Sequence, residues 1–126
     1  MLVRDIFHAV GLEPRGQPWG MPVPEPRPGV YVVALGSGDV IYVGRASRSL
    51  AQHLSHFYRR KDWAEHPDRA GDGLKPVPLL KGPLYVHWAM TPDPRRVSAE
   101  MLTAFKAKEH RLPYANKGTR LGDISA

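Results

Sequence analysis

Apolar positions along this chain change period several times, and each change marks an element. Leu2, Val3, Ile6, Phe7 and Val10 recur at helical spacing and stop at Gly11, which predicts a short first helix over residues 2–11. Residues 13–28 then hold six of the 13 prolines. Proline fixes φ and removes a hydrogen-bond donor, so this stretch predicts an extended, irregular arm, pinned to the domain by Trp19.

Residues 29–36, Gly-Val-Tyr-Val-Val-Ala-Leu-Gly, are dense in β-branched and aromatic side chains and predict a strand. Gly36-Ser37-Gly38-Asp39 is a turn, and Val40-Ile41-Tyr42-Val43-Gly44 is the returning strand of a hairpin. With that turn, Tyr42 lies across from Val33, and Tyr31 shares its face one diagonal step away. A helix opens at Ser47 or Arg48 and runs to about Arg60, with Leu50, Ala51, Leu54, Phe57 and Tyr58 inward. Residues 61–82 are rich in Pro, Gly and charge and predict a long loop, a feature usually tied to function or mobility. Leu84–Met90 is a third strand. Asp93 caps a last helix with Pro94 at its first position, running to about Glu109 with Val97, Met101, Ala104 and Phe105 inward. The tail from Leu112 is irregular and basic.

The order helix, hairpin, helix, strand, helix predicts an α+β fold: a small, mainly antiparallel three-stranded sheet flanked by helices. Residues 1–28 form the helix and Pro-rich arm packed on the domain, and 29–126 form the domain proper. A length of 126 residues suits one core of modest size, and 42% hydrophobic with 24% charged residues excludes a disordered chain. No apolar run is long enough for a membrane helix, and no signal-peptide pattern follows Met1. The absence of Cys excludes disulfides and thiolate metal sites and fits a cytoplasmic location.

Charge changes the picture. The net charge is +6, but residues 1–44 carry three basic and four acidic side chains, whereas 45–126 carry fifteen and eight. The positive excess, in clusters such as Arg45/Arg48, Arg59-Arg60-Lys61 and Arg95-Arg96, suits a polyanionic partner or a solubilising surface.

Gly29-Val30-Tyr31 on one strand and Tyr42-Val43-Gly44 on the next resemble the two halves of the GIY-YIG motif. A helix, a strand, a helix carrying Glu100, then Pro113 and Asn116 follow in the order of that nuclease family's landmarks. The resemblance spans residues 28–116 and is similar to small standalone members. It implies divalent-metal-dependent hydrolysis of phosphodiester bonds. Tyr31 and Tyr42 would lie near the reacting water, and Glu100 would hold one Mg²⁺ or Mn²⁺ ion. Gly29, Gly44 and Asn116 would be structural parts of the motif. A hard cation draws charge from an anionic phosphodiester, and oxygen ligands suit such an ion.

The family's phosphate-binding Arg falls eight or nine residues after the second motif glycine, at Gln52 or His53. The apolar stripe centres near Leu54, so Gln52 points away and His53 lies on the flank, which assigns His53 to the Arg slot. His lacks the five-donor guanidinium fork and is neutral above its pKa. Arg45 or Arg48 would then reach the phosphate, with Arg59, Arg60 and Lys61 as further nucleic-acid contacts and Lys75 and Lys81 in the long loop. His53 and His56, at i, i+3, are a second metal option, though no third ligand accompanies them. Each motif residue also has a plain structural role: the glycines relieve crowding, the tyrosines pack, Glu100 pairs with Arg96, and Asn116 forms a turn. Two functions stay open: a metal-dependent endonuclease, and a catalytically weak or inactive binding module on the same scaffold. The partner expected is DNA, with RNA open, and two-strand cleavage would call for a homodimer or a protein partner.

Overall fold

A computed structural model describes residues 1–59 and 83–116. Its elements are helix α1 (Val3–His8), strands β1 (Arg15–Pro18), β2 (Gly29–Leu35) and β3 (Val40–Ala46), helix α2 (Leu50–Arg59), strand β4 (Leu84–Met90), helix α3 (Pro94–Glu109) and a 3₁₀ turn at Tyr114–Asn116. The α+β class is as the sequence predicts. The long loop, with Arg60, Lys61, Lys75 and Lys81, and the basic tail beyond Asn116 lie outside the described residues.

The sheet corrects the expected strand count. It has four strands in the order β1-β4-β2-β3, and every pairing is antiparallel. The extra strand comes from the Pro-rich arm: Arg15 lies opposite Trp88, Gly16 opposite His87 and Gln17 opposite Val86. Proline is tolerated there because β1 is an edge strand, where one side of the ladder needs no donor. Gly16 is also the residue that fits, since a Cβ there would sit 2.6 Å from Cε1 of His87.

Strand β2 is the centre, with six of its seven residues buried. Alternation sends Val30, Val32 and Ala34 to one face, where they meet Ile6 and Phe7 of α1 and Val97, Met101, Leu102 and Phe105 of α3. Tyr31 and Val33 point to the other face, against Leu50, Leu54 and Phe57 of α2 and Val86 and Trp88 of β4. Among the described residues, the sheet is therefore sandwiched, with α2 on one side and α1 and α3 on the other.

The hairpin keeps the register that turn counting predicts. Val33 is opposite Tyr42, and a bulge beyond it pairs Ala34 with Val40. Gly38, at φ 93°, supplies the left-handed turn position. Helix α1 is shorter than its apolar pattern because Leu2 bridges to Asp39 and Gly11 turns the chain at φ 70°. Helix α2 starts at Leu50 rather than Ser47 or Arg48. Ser49 is its cap, its hydroxyl accepting from the Gln52 amide at 3.2 Å. The arm completes the cap: the Leu50 and Ala51 amides donate to the carbonyls of Arg27 and Glu25. Trp19 holds the arm's middle, edge-on to Phe57 at 5.4 Å and to Tyr58 at 4.8 Å. Helix α3 begins as predicted, with Asp93 accepting from the Arg96 amide and Pro94 at the first position, and ends at His110 in the left-handed region.

Gly29 sits where β2, β4 and α2 crowd together. A Cβ there would meet the Ala89 carbonyl, come within 2.6 Å of Leu50 Cδ1 and lie 2.9 Å from Met90 Cα. Two of those neighbours are backbone and cannot rotate away. Gly29→Ala is expected to cost about 1–3 kcal/mol of stability, read as a lower urea midpoint with an unchanged slope.

Candidate active site

Tyr31 leaves the central strand toward α2 and is 1% exposed. Its ring lies across Gly44 of the neighbouring edge strand, where a Cβ would stand 2.5 Å from the phenolic oxygen. Only glycine permits this approach. The reach it allows brings the Tyr31 hydroxyl 3.1 Å from Nε2 of His53. Tyr42 stands on the same face, half-buried, with its ring 6.1 Å from that of Tyr31. Phe57 floors the group: its ring is 5.8 Å from Tyr31, 5.5 Å from Tyr42 and 6.5 Å from the His53 ring, which stacks on it. Tyr31, Tyr42 and His53 therefore converge, as their positions on the two strands and the helix flank suggest. Phe57 was legible only as a buried helix residue, because nothing local marks a core residue that also floors a polar cluster.

The inner edge of the His53 ring has lost water to Tyr31 and Phe57, while its outer edge is open. That burial lowers its pKa below the ordinary 6.5, and the nearby His56 lowers it further. A neutral imidazole follows at pH 7. With Nε2 unprotonated, Tyr31 donates to it, and the ring can take the phenolic proton.

Outside this pair lies a shallow depression of about 340 Å³ lined by Arg45, Ser47, Arg48, Gln52, His53 and His56, besides Ser49. Among the described residues, no carboxylate lines it. Both candidates for the Arg slot, Gln52 and His53, border it, but only His53 touches Tyr31. Arg59 is exposed one turn beyond His56.

Asn116 is 4% exposed and far from Val43 in sequence, yet its side chain pairs with that residue's backbone at both ends. Its Oδ1 accepts from the Val43 amide at 2.8 Å and its Nδ2 donates to the Val43 carbonyl at 2.9 Å. The amide acts as a one-residue strand on the free edge of β3, between Tyr42 and Gly44. An edge with unpaired groups is thereby closed at the point where the tyrosines gather.

Glu100 does not join them. Its Oε1 accepts from Nη1 of Arg96 at 2.8 Å, and its side chain is 51% exposed. Burial of Ser98 and Leu102 turns the inner face of α3 further from Glu100 than the Val97/Met101/Phe105 stripe alone suggests. Helix α3 also packs on the sheet face opposite Tyr31 and His53. Among the described residues, no three His, Cys, Asp or Glu side chains cluster as a metal site. Glu100 by itself, on the helix that packs across the sheet from Tyr31 and His53, is not a preformed ion site. Mg²⁺ and Mn²⁺ take one or two carboxylates and complete their shell with water and substrate oxygens, and Oε2 of Glu100 takes no hydrogen bond among the described residues.

Two outcomes test this arrangement. Asn116→Ala strands the buried amide and carbonyl of Val43 and is expected to lower stability by about 2–3 kcal/mol in chemical denaturation. The second concerns pH. Burial also lowers the pKa of His87. Groups held neutral in the fold contribute stability that is full above their unfolded pKa, about 6.5, and is lost as pH falls through their lowered folded values. Unfolding free energy should therefore decline below that pH, and His53→Gln with His87→Gln should flatten the decline.

No helix among the described residues is long and apolar enough to cross a membrane. No protein-family model, curated protein or solved structure matches this chain.

Proposed function

We propose that this protein is a divalent-metal-dependent endonuclease that hydrolyses DNA phosphodiester bonds at the Tyr31–His53 pair. The observation that carries the reading is the 3.1 Å contact between the phenol and a histidine whose pKa is lowered by partial burial, at the wall of a depression lined by two arginines. In this reading Arg45 and Arg48 hold the non-bridging oxygens of the phosphate. Tyr42 orients the attacking water. Tyr31 accepts a proton from that water as His53 Nε2 takes the phenolic proton. The water oxygen then bonds to phosphorus, and the P–O bond to the leaving strand breaks, its oxygen taking a proton from solvent. Glu100 would hold the ion, which when bound supplies Lewis-acid polarisation, but because α3 packs across the sheet from Tyr31 and His53 this requires the substrate to extend from the depression to the α3 side. That role requires Arg96 to yield the carboxylate. Gly29, Gly44 and Asn116 support the geometry without touching substrate.

A second reading has its own support. Glu100 is tied to Arg96 and Tyr31 is almost fully buried, which suits a nucleic-acid-binding module that keeps the scaffold and the basic depression without hydrolysis.

Supercoiled plasmid and branched DNA, incubated with Mg²⁺ or Mn²⁺, separate the two. Wild type is expected to nick. Tyr31→Phe, which keeps the ring, and Glu100→Ala should each lower the rate by about 100-fold or more. No nicking by wild type, with salt-sensitive DNA binding intact, would transfer the assignment to the binding module.

A further inference from the structure

The depression beside Tyr31 mixes two kinds of cation. Arg45 and Arg48 are charged at any physiological pH, whereas the imidazoles of His53 and His56 gain charge only as pH falls. They sit one helical turn apart on α2, both facing the same shallow space. Among the described residues, Tyr31 from β2 touches His53, Arg45 from β3, Arg48 before the helix and Gln52 on α2 line the same space, and Arg59 is exposed further along α2. Among the described residues, no carboxylate lines the space to favour the charged form of His53 in the free protein. The backbone donors at the start of α2 are taken by Arg27, Glu25 and Ser49, so an anion seated here must be met by side chains.

We infer that this depression is a proton-linked phosphate site, in which His53 and His56 take up protons as a phosphodiester strand seats beside Arg45 and Arg48. The inference deepens the function proposed above and rests on it. A seated phosphate supplies negative charge that the described residues of the depression do not, so it favours the imidazolium form of His53, which burial and the nearby His56 oppose without it. Binding and hydrolysis then run in opposite directions with pH. Protonated His53 holds phosphate but has no lone pair on Nε2 for the Tyr31 proton. Neutral His53 accepts that proton but contributes no charge. In this arrangement the same side chain grips phosphate at low pH and serves as the base at higher pH.

The test measures binding alone, with a fluorescent DNA duplex in EDTA, by anisotropy at pH 5.5 and 7.5 across a salt series. Wild type is expected to bind at least about tenfold more tightly at pH 5.5, with a log–log salt slope steeper by about one. The His53→Gln/His56→Gln double variant should lose most of that gain, and His56→Gln alone, at an exposed position, should lose part of it. Calorimetry of wild type near pH 6.5 in two buffers of different ionisation enthalpy should show proton uptake on binding. An equal pH response in wild type and the double variant, or no proton uptake by wild type, overturns the linkage and leaves the hydrolytic reading standing. Failure to bind duplex at either pH overturns both.

Discussion

A missing Cβ at Gly44 is the constraint on which the candidate site depends. The Tyr31 ring passes over the edge strand at a distance no side chain would allow, and the reach gained puts its hydroxyl on His53. Any residue but glycine would lift the phenol off β3 or push the strand outward. Either movement would separate the tyrosine from α2, and the ring group floored by Phe57 would come apart. The glycine is a steric need here, since its backbone is not in the left-handed region.

Two long-range devices keep that edge in place. Asn116 pairs with both backbone groups of Val43, so β3 cannot slide or recruit a further strand between Tyr42 and Gly44. The Pro-rich arm does the corresponding work on α2. Its carbonyls cap the helix start, and Trp19 packs on Phe57 and Tyr58, so the helix that carries His53 and His56 is held from the arm side. The arm also adds β1 to the sheet beyond β4, tying both edges of the domain to segments distant in sequence.

The electrostatics follow from the layering. The basic depression lies beside the α2 face, while Glu100 belongs to α3, in the layer across the sheet, and is neutralised by Arg96. Among the described residues, cation and carboxylate are thus kept apart, which suits the depression to an outside anion. Under the hydrolytic proposal, Glu100 would have to release Arg96 and serve the substrate from the α3 side of the sheet. This division is what makes the hydrolytic reading depend on Glu100 and the binding reading independent of it.

Local patterns in the chain determined what short-range physics controls. The hairpin, with Tyr42 opposite Val33, followed from β-branched runs around a Gly-rich turn. The Asp93-Pro94 start of α3 followed from capping chemistry, and the convergence of Tyr31, Tyr42 and His53 on one face followed from strand and helix periodicity. Tertiary structure decided the rest. Strand β1 has no alternation of its own, because an exposed edge strand needs only a partner's backbone, so its pairing was invisible in residues 13–28. The position of Glu100 depended on which helix face the sheet selects, and burial of Ser98 and Leu102 turned it outward. The Tyr31–His53 contact has the same origin. Periodicity put both residues near one face, but only close packing over Gly44 brought a phenol to a ring nitrogen, because a distance between side chains belongs to the packed core and not to any stretch of chain.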